Sequence, residues 1–248
     1  MIKAILFDLG QTLLHFGSLR SGALFSQAAA NAYSYLKEQG QPVPNFFRYR
    51  LVHIMGLRWH LLVSALTGND FDSMRLLKHY GQKHGFNLTE SQWQDLNWRW
   101  YQPLVKLAEL EPCLTETLRA LKAMNLKLGI VSNTFVNASS LDRHLEQLGL
   151  LEFFPVRLYS CHLPWRKPDV RIFALAAEQI GVEPGRILFV GDKLSTDIRG
   201  ALRAGMQPVL IKNSAGGKHP RNIPVIDTIA QLAALVERIN SGLRGQSQ

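Results

Sequence analysis

Residues 3–14 read Lys-Ala-Ile-Leu-Phe-Asp-Leu-Gly-Gln-Thr-Leu-Leu. Residues 3–7 form an apolar run of strand length that stops at a carboxylate, Asp8, and is followed by a Gly-containing turn. A short apolar run bounded in this way reads as a buried strand. Three further segments share the form. Residues 126–131 (LKLGIV) end at Ser132-Asn133, residues 186–190 (RILFV) end at Gly191-Asp192, and residues 207–211 (QPVLI) make a fourth run. Helical spacing fills most of the gaps: Leu114, Leu118 and Leu121; Leu141, Leu145 and Leu148; Ile172, Phe173, Ala176 and Ile180.

Strands alternating with helices of this length predict βαβ units and a parallel sheet, an α/β fold of Rossmann-like type with helices on its faces. In such sheets ligands sit beyond the carboxyl ends of the strands. Asp8, Ser132 and Asp192 occupy those ends and define a candidate site.

Residues 17–110 break the alternation and contain no convincing strand. Leu51, Ile54, Met55, Leu61, Leu62 and Leu66 fall near helical spacing, as do Trp93, Leu96, Trp100 and Leu104. The sequence therefore predicts a core of residues 1–16 and 111–248 and an all-helical insert over 17–110. The crossings fall near residues 15–18 and 109–112, and the polar loops of the insert are expected to face Asp8. Its aromatics are expected to form its own core. The basic, apolar stretch 46–63 also raises an interfacial membrane helix, but its Arg and His residues do not segregate to one face. From Ser241 onward the polar SGLRGQSQ reads as a frayed tail.

Composition narrows the class. Of 248 residues, 46% are hydrophobic and 19% charged, enough apolar material to bury a core. The net charge of +9 suits an anionic substrate, yet 17–110 carries 10 basic and 6 acidic residues (+4) and the remainder 18 and 13 (+5). No stripe or tail concentrates the charge, so neither nucleic acid nor membrane is expected as a partner. Cys113 and Cys161 lie 48 positions apart with no partner pattern, which excludes a disulfide scaffold and a zinc knuckle and fits a reducing compartment. The start has the form of neither a signal peptide nor a spanning segment, so a cytoplasmic protein is expected.

Four pieces carry chemistry. Asp8 is pushed by a strand into a turn. Ser132 and Asn133 offer neutral hydrogen-bond donors. Lys167 precedes Pro168, which is expected to open a helix and set the ammonium beside its N-terminus as an anion site. Asp192 and Asp197, five residues apart after Gly191, can build or brace a site for a hard cation.

This order resembles the haloacid dehalogenase-like hydrolase superfamily, in IKAILFDLGQTLL, in LKLGIVSN and from RKPDVRIFALAAEQIGVEPG through RILFVGDKLSTDIRGALRAGM. The resemblance implies that Asp8 is the nucleophile forming an aspartyl-phosphate, that Ser132 bonds the transferring phosphoryl group, and that Lys167 holds nucleophile and phosphoryl oxygens together. It implies Mg²⁺ bound by Asp8, Asp192 and the backbone carbonyl of Gly10, with Asp197 acting behind that metal. It also implies a small phosphorylated substrate and a cap in residues 17–110.

One position departs from the pattern. The family usually has a second Asp two residues after the nucleophile, and this chain has Gly10, which can neither protonate a leaving group nor activate water. Gln11 replaces the usual Gly or Asn, and His15 stands where many relatives have another Asp. Three functions compete: a Mg²⁺-dependent phosphatase that is slow or restricted to good leaving groups; a hydrolase of C–P or C–halogen bonds, with Lys37 as the candidate Schiff-base lysine; and a non-catalytic phosphate- or partner-binding module.

Overall fold

The computed structural model describes residues 1–17, 21–212 and 222–244. Six parallel strands form one sheet: β1 (Ala4–Phe7), β2 (Lys127–Ser132), β3 (Val156–Tyr159), β4 (Ile187–Gly191), β5 (Gln207–Ile211) and β6 (Val225–Ile226). The order is β3-β2-β1-β4-β5-β6. The chain first winds outward from β1 through β2 to β3, then returns to the other side of β1 at β4. The crevice beside β1 is thus the switch point, where such sheets bind ligands. All four segments read as strands from the sequence are strands.

Period-two alternation builds the core on both faces of the sheet. Ile5 and Phe7 of β1 pack into one cluster, whereas Ala4 and Leu6 pack into the other with Phe173, Ala176 and Phe189. β3 escaped the sequence reading because it is an edge strand (VRLY) with a charge in it. Arg157 is held by Asp142 Oδ1 at 2.9 Å and Oδ2 at 3.1 Å.

Four helices lie between β1 and the rest of the core: α1 (Ser21–Glu38), α2 (Phe46–Thr67), α3 (Ser73–Lys83) and α4 (Glu90–Val105). The described residues of this insert contain no strand; residues 18–20 lie outside them. Five helices complete the core: α5 (Leu114–Ala123), α6 (Ala138–Gln147), α7 (Val170–Ile180), α8 (Arg199–Arg203) and α9 (Leu232–Arg244). The tail expected from Ser241 is shorter than the sequence suggested. α9 runs on to Arg244, and Ser241 Oγ donates to Glu237 O at 2.7 Å in ordinary helical fashion. Residues 245–248 lie outside the described residues.

The two chain crossings at the base of the insert are tied together. His15 N donates to Glu109 O at 2.9 Å and Glu109 N donates to His15 O at 2.8 Å. Above them α4 packs on α1 and reaches α6 of the core. A buried polar seam fixes that contact: Ser73 Oγ donates to Asn97 Oδ1 at 2.8 Å, and Asn97 Nδ2 donates to Ser140 Oγ at 2.7 Å. Trp93, Trp98, Trp100 and Tyr101 are buried, as expected of an insert core, but Phe47 and Trp59 of α2 are exposed.

Two histidines, His144 buried and His53 half-buried, are held as neutral groups. His53 Nε2 accepts the indole N–H of Trp100 at 2.7 Å, and burial pushes its pKa down to about 4. His144 Nδ1 pairs with the Tyr101 hydroxyl at 3.0 Å, and burial again lowers the pKa to about 4. Both titrate near 6.5 when unfolded, so below that pH the unfolded chain binds more protons than the folded one. Stability should fall as pH drops from 6.5 towards 4, by up to roughly 3 kcal/mol per histidine. Urea unfolding across this range should show the slope, and His53→Gln should flatten it.

Candidate active site

Asp8 extends β1 by one ladder bond, its amide donating to Val190 O of β4 at 2.9 Å. The chain then turns tightly. Leu13 N and Leu14 N both donate to Leu9 O at 2.9 Å, and Gln11 N donates to Leu14 O at 2.7 Å. Gln11 adopts φ +64°, a left-handed conformation that favours Gly or Asn, which explains why those residues are usual there.

Lys167 is nearly inaccessible to solvent, at 2% exposure. Its ammonium donates to Asp8 Oδ1 at 2.6 Å and lies 2.9 Å from Asp197 Oδ1. A reciprocal amide clamp holds the backbone of this lysine to the end of β2. Lys167 N donates to Asn133 Oδ1, and Asn133 Nδ2 donates to Lys167 O, both at 2.8 Å. The expectation that Pro168 opens the next helix is not met. Asp169 is the N-cap of α7, its side chain accepting from Arg171 N at 3.0 Å, and Pro168 lies one residue before the cap. The lysine therefore answers carboxylates rather than a helix terminus.

Asp197 sits in a π-helical turn, Leu194–Ile198, a rare form frequent at functional sites. Its Oδ2 accepts the Lys193 amide at 3.0 Å. Gly191 makes this possible, because a Cβ there would come within 2.5 Å of Asp197 Cβ and 2.6 Å of its carboxylate.

Carboxylate oxygens of Asp8, Asp192 and Asp197 lie within 4.8 Å of one another. Burial and the neighbouring Asp8 charge push the Asp192 carboxyl up to about 6, against a weaker pull from Lys193. Burial also raises Asp8, opposed by Lys167 and reinforced by Asp197. Burial works against the Lys167 ammonium, but Asp8 and Asp197 outweigh it and keep it charged. Three carboxylates thus share one buried ammonium, an excess of negative charge that suits a hard divalent cation. The donor set fits Mg²⁺, since the carboxylates of Asp8, Asp192 and Asp197 offer oxygen only. Asp197 is already committed to Lys167 and the Lys193 amide.

Above these groups is a cavity of about 470 Å³. Its floor includes Asp8, Ser132, Asn133, Lys167 and Asp197, and its walls include Phe16, Leu104, Phe135, Val136 and Leu141. The insert contributes Tyr101 and Leu104 from a helix, α4, where polar loops were expected. The Tyr101 hydroxyl is occupied by His144. Sequence patterns marked α4 as helical but gave no sign of which residues look into the site. Lys193 and Thr196 also line it and belong to the same segment as Asp192. His15 stays at the chain crossing, 3.8 Å from Glu111, and Lys37 is exposed in the last turn of α1. Neither lines the cavity.

The model of the haloacid dehalogenase-like hydrolase family matches residues 2–205. The chain belongs to this family. It is 28% identical over 250 residues to the glyceraldehyde 3-phosphate phosphatase of Methanothermobacter thermautotrophicus, covering 95% of this chain and all of that one. It is 27% identical to the N-acetylmuramic acid 6-phosphate phosphatase of Pseudomonas aeruginosa, over 90% of this chain and 86% of that one. A solved phosphatase of the family from Thermococcus onnurineus superposes with a TM-score of 0.58 at 25% identity, covering 95% of this chain and 98% of that one. The chain is therefore a hydrolase, with relatives that act on small phosphorylated metabolites.

Gly191→Ala should force the Asp197 carboxylate away from Lys167. Overpacking of this kind costs about 1–3 kcal/mol, to be read as a lowered urea midpoint.

Proposed function

We propose that this hydrolase is a Mg²⁺-dependent phosphatase working through an aspartyl-phosphate, restricted to substrates whose leaving group is a stable anion. The observation that carries this reading is the buried Lys167 ammonium between Asp8 and Asp197, with Asp192 beside them. Asp8 Oδ1 is held by Lys167, whereas Oδ2 has a long 3.4 Å contact from Thr12 Oγ1. A carboxylate oxygen of Asp8 attacks phosphorus, and the ester P–O bond breaks with its electron pair leaving on oxygen. Ser132 and the Asn133 side of the floor receive the phosphoryl oxygens, and Lys167 balances the charge shared between carboxylate and phosphoryl group. Water then cleaves the acyl-phosphate, releasing inorganic phosphate and Asp8. Asp8, Asp192 and the Gly10 carbonyl would hold Mg²⁺, which when bound supplies Lewis-acid stabilisation of phosphoryl oxygens.

Gly10 puts no acid beside the leaving oxygen, and the one insert hydroxyl at the cavity is bonded to His144. Apolar walls meanwhile favour an apolar acceptor body. Both point to aryl or acyl phosphates over sugar phosphates. Residues 17–110 act as the cap, hinged where His15 and Glu109 pair, on a core of 1–16 and 111–248. We place the protein in the cytoplasm with a small-molecule substrate and no nucleic-acid partner. No described helix is long and apolar enough to cross a membrane.

Hydrolysis of p-nitrophenyl phosphate should require Mg²⁺ and fall about 10³-fold or more in Asp8→Asn. Calorimetry should show Mg²⁺ binding that Asp192→Asn removes.

A Cβ on residue 10 would meet nothing within 4 Å, so the backbone there has room to begin the side chain of Gly10→Asp. It should raise turnover of alkyl phosphates by about 10²-fold or more while changing aryl phosphates little. Equal wild-type rates on both classes would show that another group supplies the proton. Turnover of neither, with Mg²⁺ binding intact, would favour a phosphate-binding module.

A further inference from the structure

Helix α2 is apolar on two sides, but only one side has a partner among the described residues. Tyr49, Leu57 and Ser64 are buried against the insert. On the opposite side Phe47, Leu51, Val52, Met55, Trp59, Leu62 and Leu66 are all exposed, Met55 at 62%, Trp59 at 63% and Leu66 at 78%. A helix that is apolar all round is normally covered all round. Taking about 190 Å² for a fully exposed large apolar side chain, these seven offer on the order of 800 Å². The largest apolar patch of a typical monomer is about 300–600 Å². A standard stable interface buries about 800 Å² per partner, and this face supplies most of that if it is covered. The sequence of 213–221 and 245–248 is polar and has no apolar run to lie on it.

The pattern on this face names the occupant. Arg48, Val52, Met55, Trp59, Leu62 and Leu66 are spaced 4, 3, 4, 3, 4, the heptad seam of one helix packing along another. Val52 and Leu66 lie seven residues either side of Trp59, and Met55 and Leu62 lie four and three residues from it. In an antiparallel pair with a two-fold axis there, Val52 meets Leu66, Met55 meets Leu62, and Trp59 meets its own copy. Gly56 on one flank allows close approach, and a Cβ there would meet nothing within 4 Å in the monomer. With the axis at Trp59, residues 51–67 of the two helices overlap, and at about 1.5 Å per residue they supply a contact about 25 Å long.

We propose that α2 is a dimerisation helix, packing antiparallel on α2 of a second copy of this chain about a two-fold axis at Trp59. α2 carries Arg48, Arg50 and Arg58 and no acidic residue. The two Arg58 side chains fall near the axis, so their repulsion is screened as ionic strength rises and the dimer tightens with salt. An anionic lipid surface, the other occupant that apolar and basic residues together would suit, gives the opposite salt dependence.

The test is sedimentation equilibrium of the full chain at low and high salt. The expected mass is twice 28.0 kDa, with tighter association at high salt. Met55→Glu and Leu62→Glu, both at solvent-facing positions of the monomer, should each weaken the dimer about 30-fold or more without changing the circular dichroism spectrum. Trp59→Cys in a Cys113→Ser background should form an interchain disulfide on mild oxidation, a register-specific result that needs no charge at the interface. A monomer at tens of micromolar overturns the proposal, as does a dimer that neither charge variant weakens. Salt-sensitive co-sedimentation of a monomer with phosphatidylserine-containing vesicles, lost in Met55→Glu, overturns it in favour of a lipid surface.

Discussion

The ammonium of Lys167, 1% exposed and set between two buried carboxylates, is the constraint around which the core is arranged. A buried ion pair is a poor way to gain stability, since well-packed apolar residues of like volume usually do as well or better. Removing one partner, by contrast, leaves an uncompensated buried charge and costs about 3–5 kcal/mol. The surrounding structure bears the marks of that asymmetry. The Asn133 clamp fixes the lysine backbone at both its N–H and C=O. The face of Phe189 lies 5.3 Å from the ammonium, closing it from water while offering a weak cation–π contact. Gly191 leaves the volume that Asp197 fills, and the π-helical turn aims Asp197 into it. The end of β2, strand β4 and the turn after it therefore have one geometric task, to present a fixed positive charge to the Asp8 carboxylate.

The core elements of this arrangement were legible in the sequence because each has a local cause. Asp8, Ser132 and Asp192 end apolar runs, and a strand-end residue in a parallel sheet lies at the ligand-binding edge whatever the remainder of the chain does. Lys167 was legible from its neighbourhood, but the reason attached to it was wrong. Whether a proline enters a helix depends on the next residue, and Asp169 is the better cap. Gly191 and the left-handed Gln11 needed coordinates, since close approach and φ are set by contacts across the fold. The edge strand β3 was missed for a related reason. Half of its surroundings are solvent, so Arg157 and Tyr159 are tolerated and the apolar signature is diluted.

The insert was legible as helices and not as a binding surface. Helical periodicity reports which side of a helix is buried, not what buries it. In α4 the buried positions divide among three duties. Asn97 bridges Ser73 and Ser140 across the junction with α6, Trp100 meets His53 of α2, and Tyr101 reaches the cavity and His144. A second set of polar contacts lies at the loop after α2, where Asp70 accepts from Arg166 at 2.7 Å, one residue before Lys167. Seating of the insert and placement of the lysine are therefore coupled through two adjacent residues. A movement of the insert that breaks the Asp70–Arg166 pair acts directly on the segment that carries the ammonium.

Gly10 is better understood with the cavity walls than as a missing residue. A carboxylate at that position would be a further acidic group beside Asp8 and Asp192, whose carboxyls already sit above their usual range because burial and mutual repulsion disfavour their charge. It would also face the apolar walls of the cavity, Phe16, Leu104 and Phe135, which offer it no hydrogen bond. The acidic group and the apolar wall are thus alternatives. A site that keeps the acid must hydrate it and so accommodates polar acceptors, while a site that drops it can close apolar surface over the leaving group. The second arrangement suits the function proposed above, because the proton that residue 10 cannot give is one that an aryl or acyl oxyanion scarcely requires.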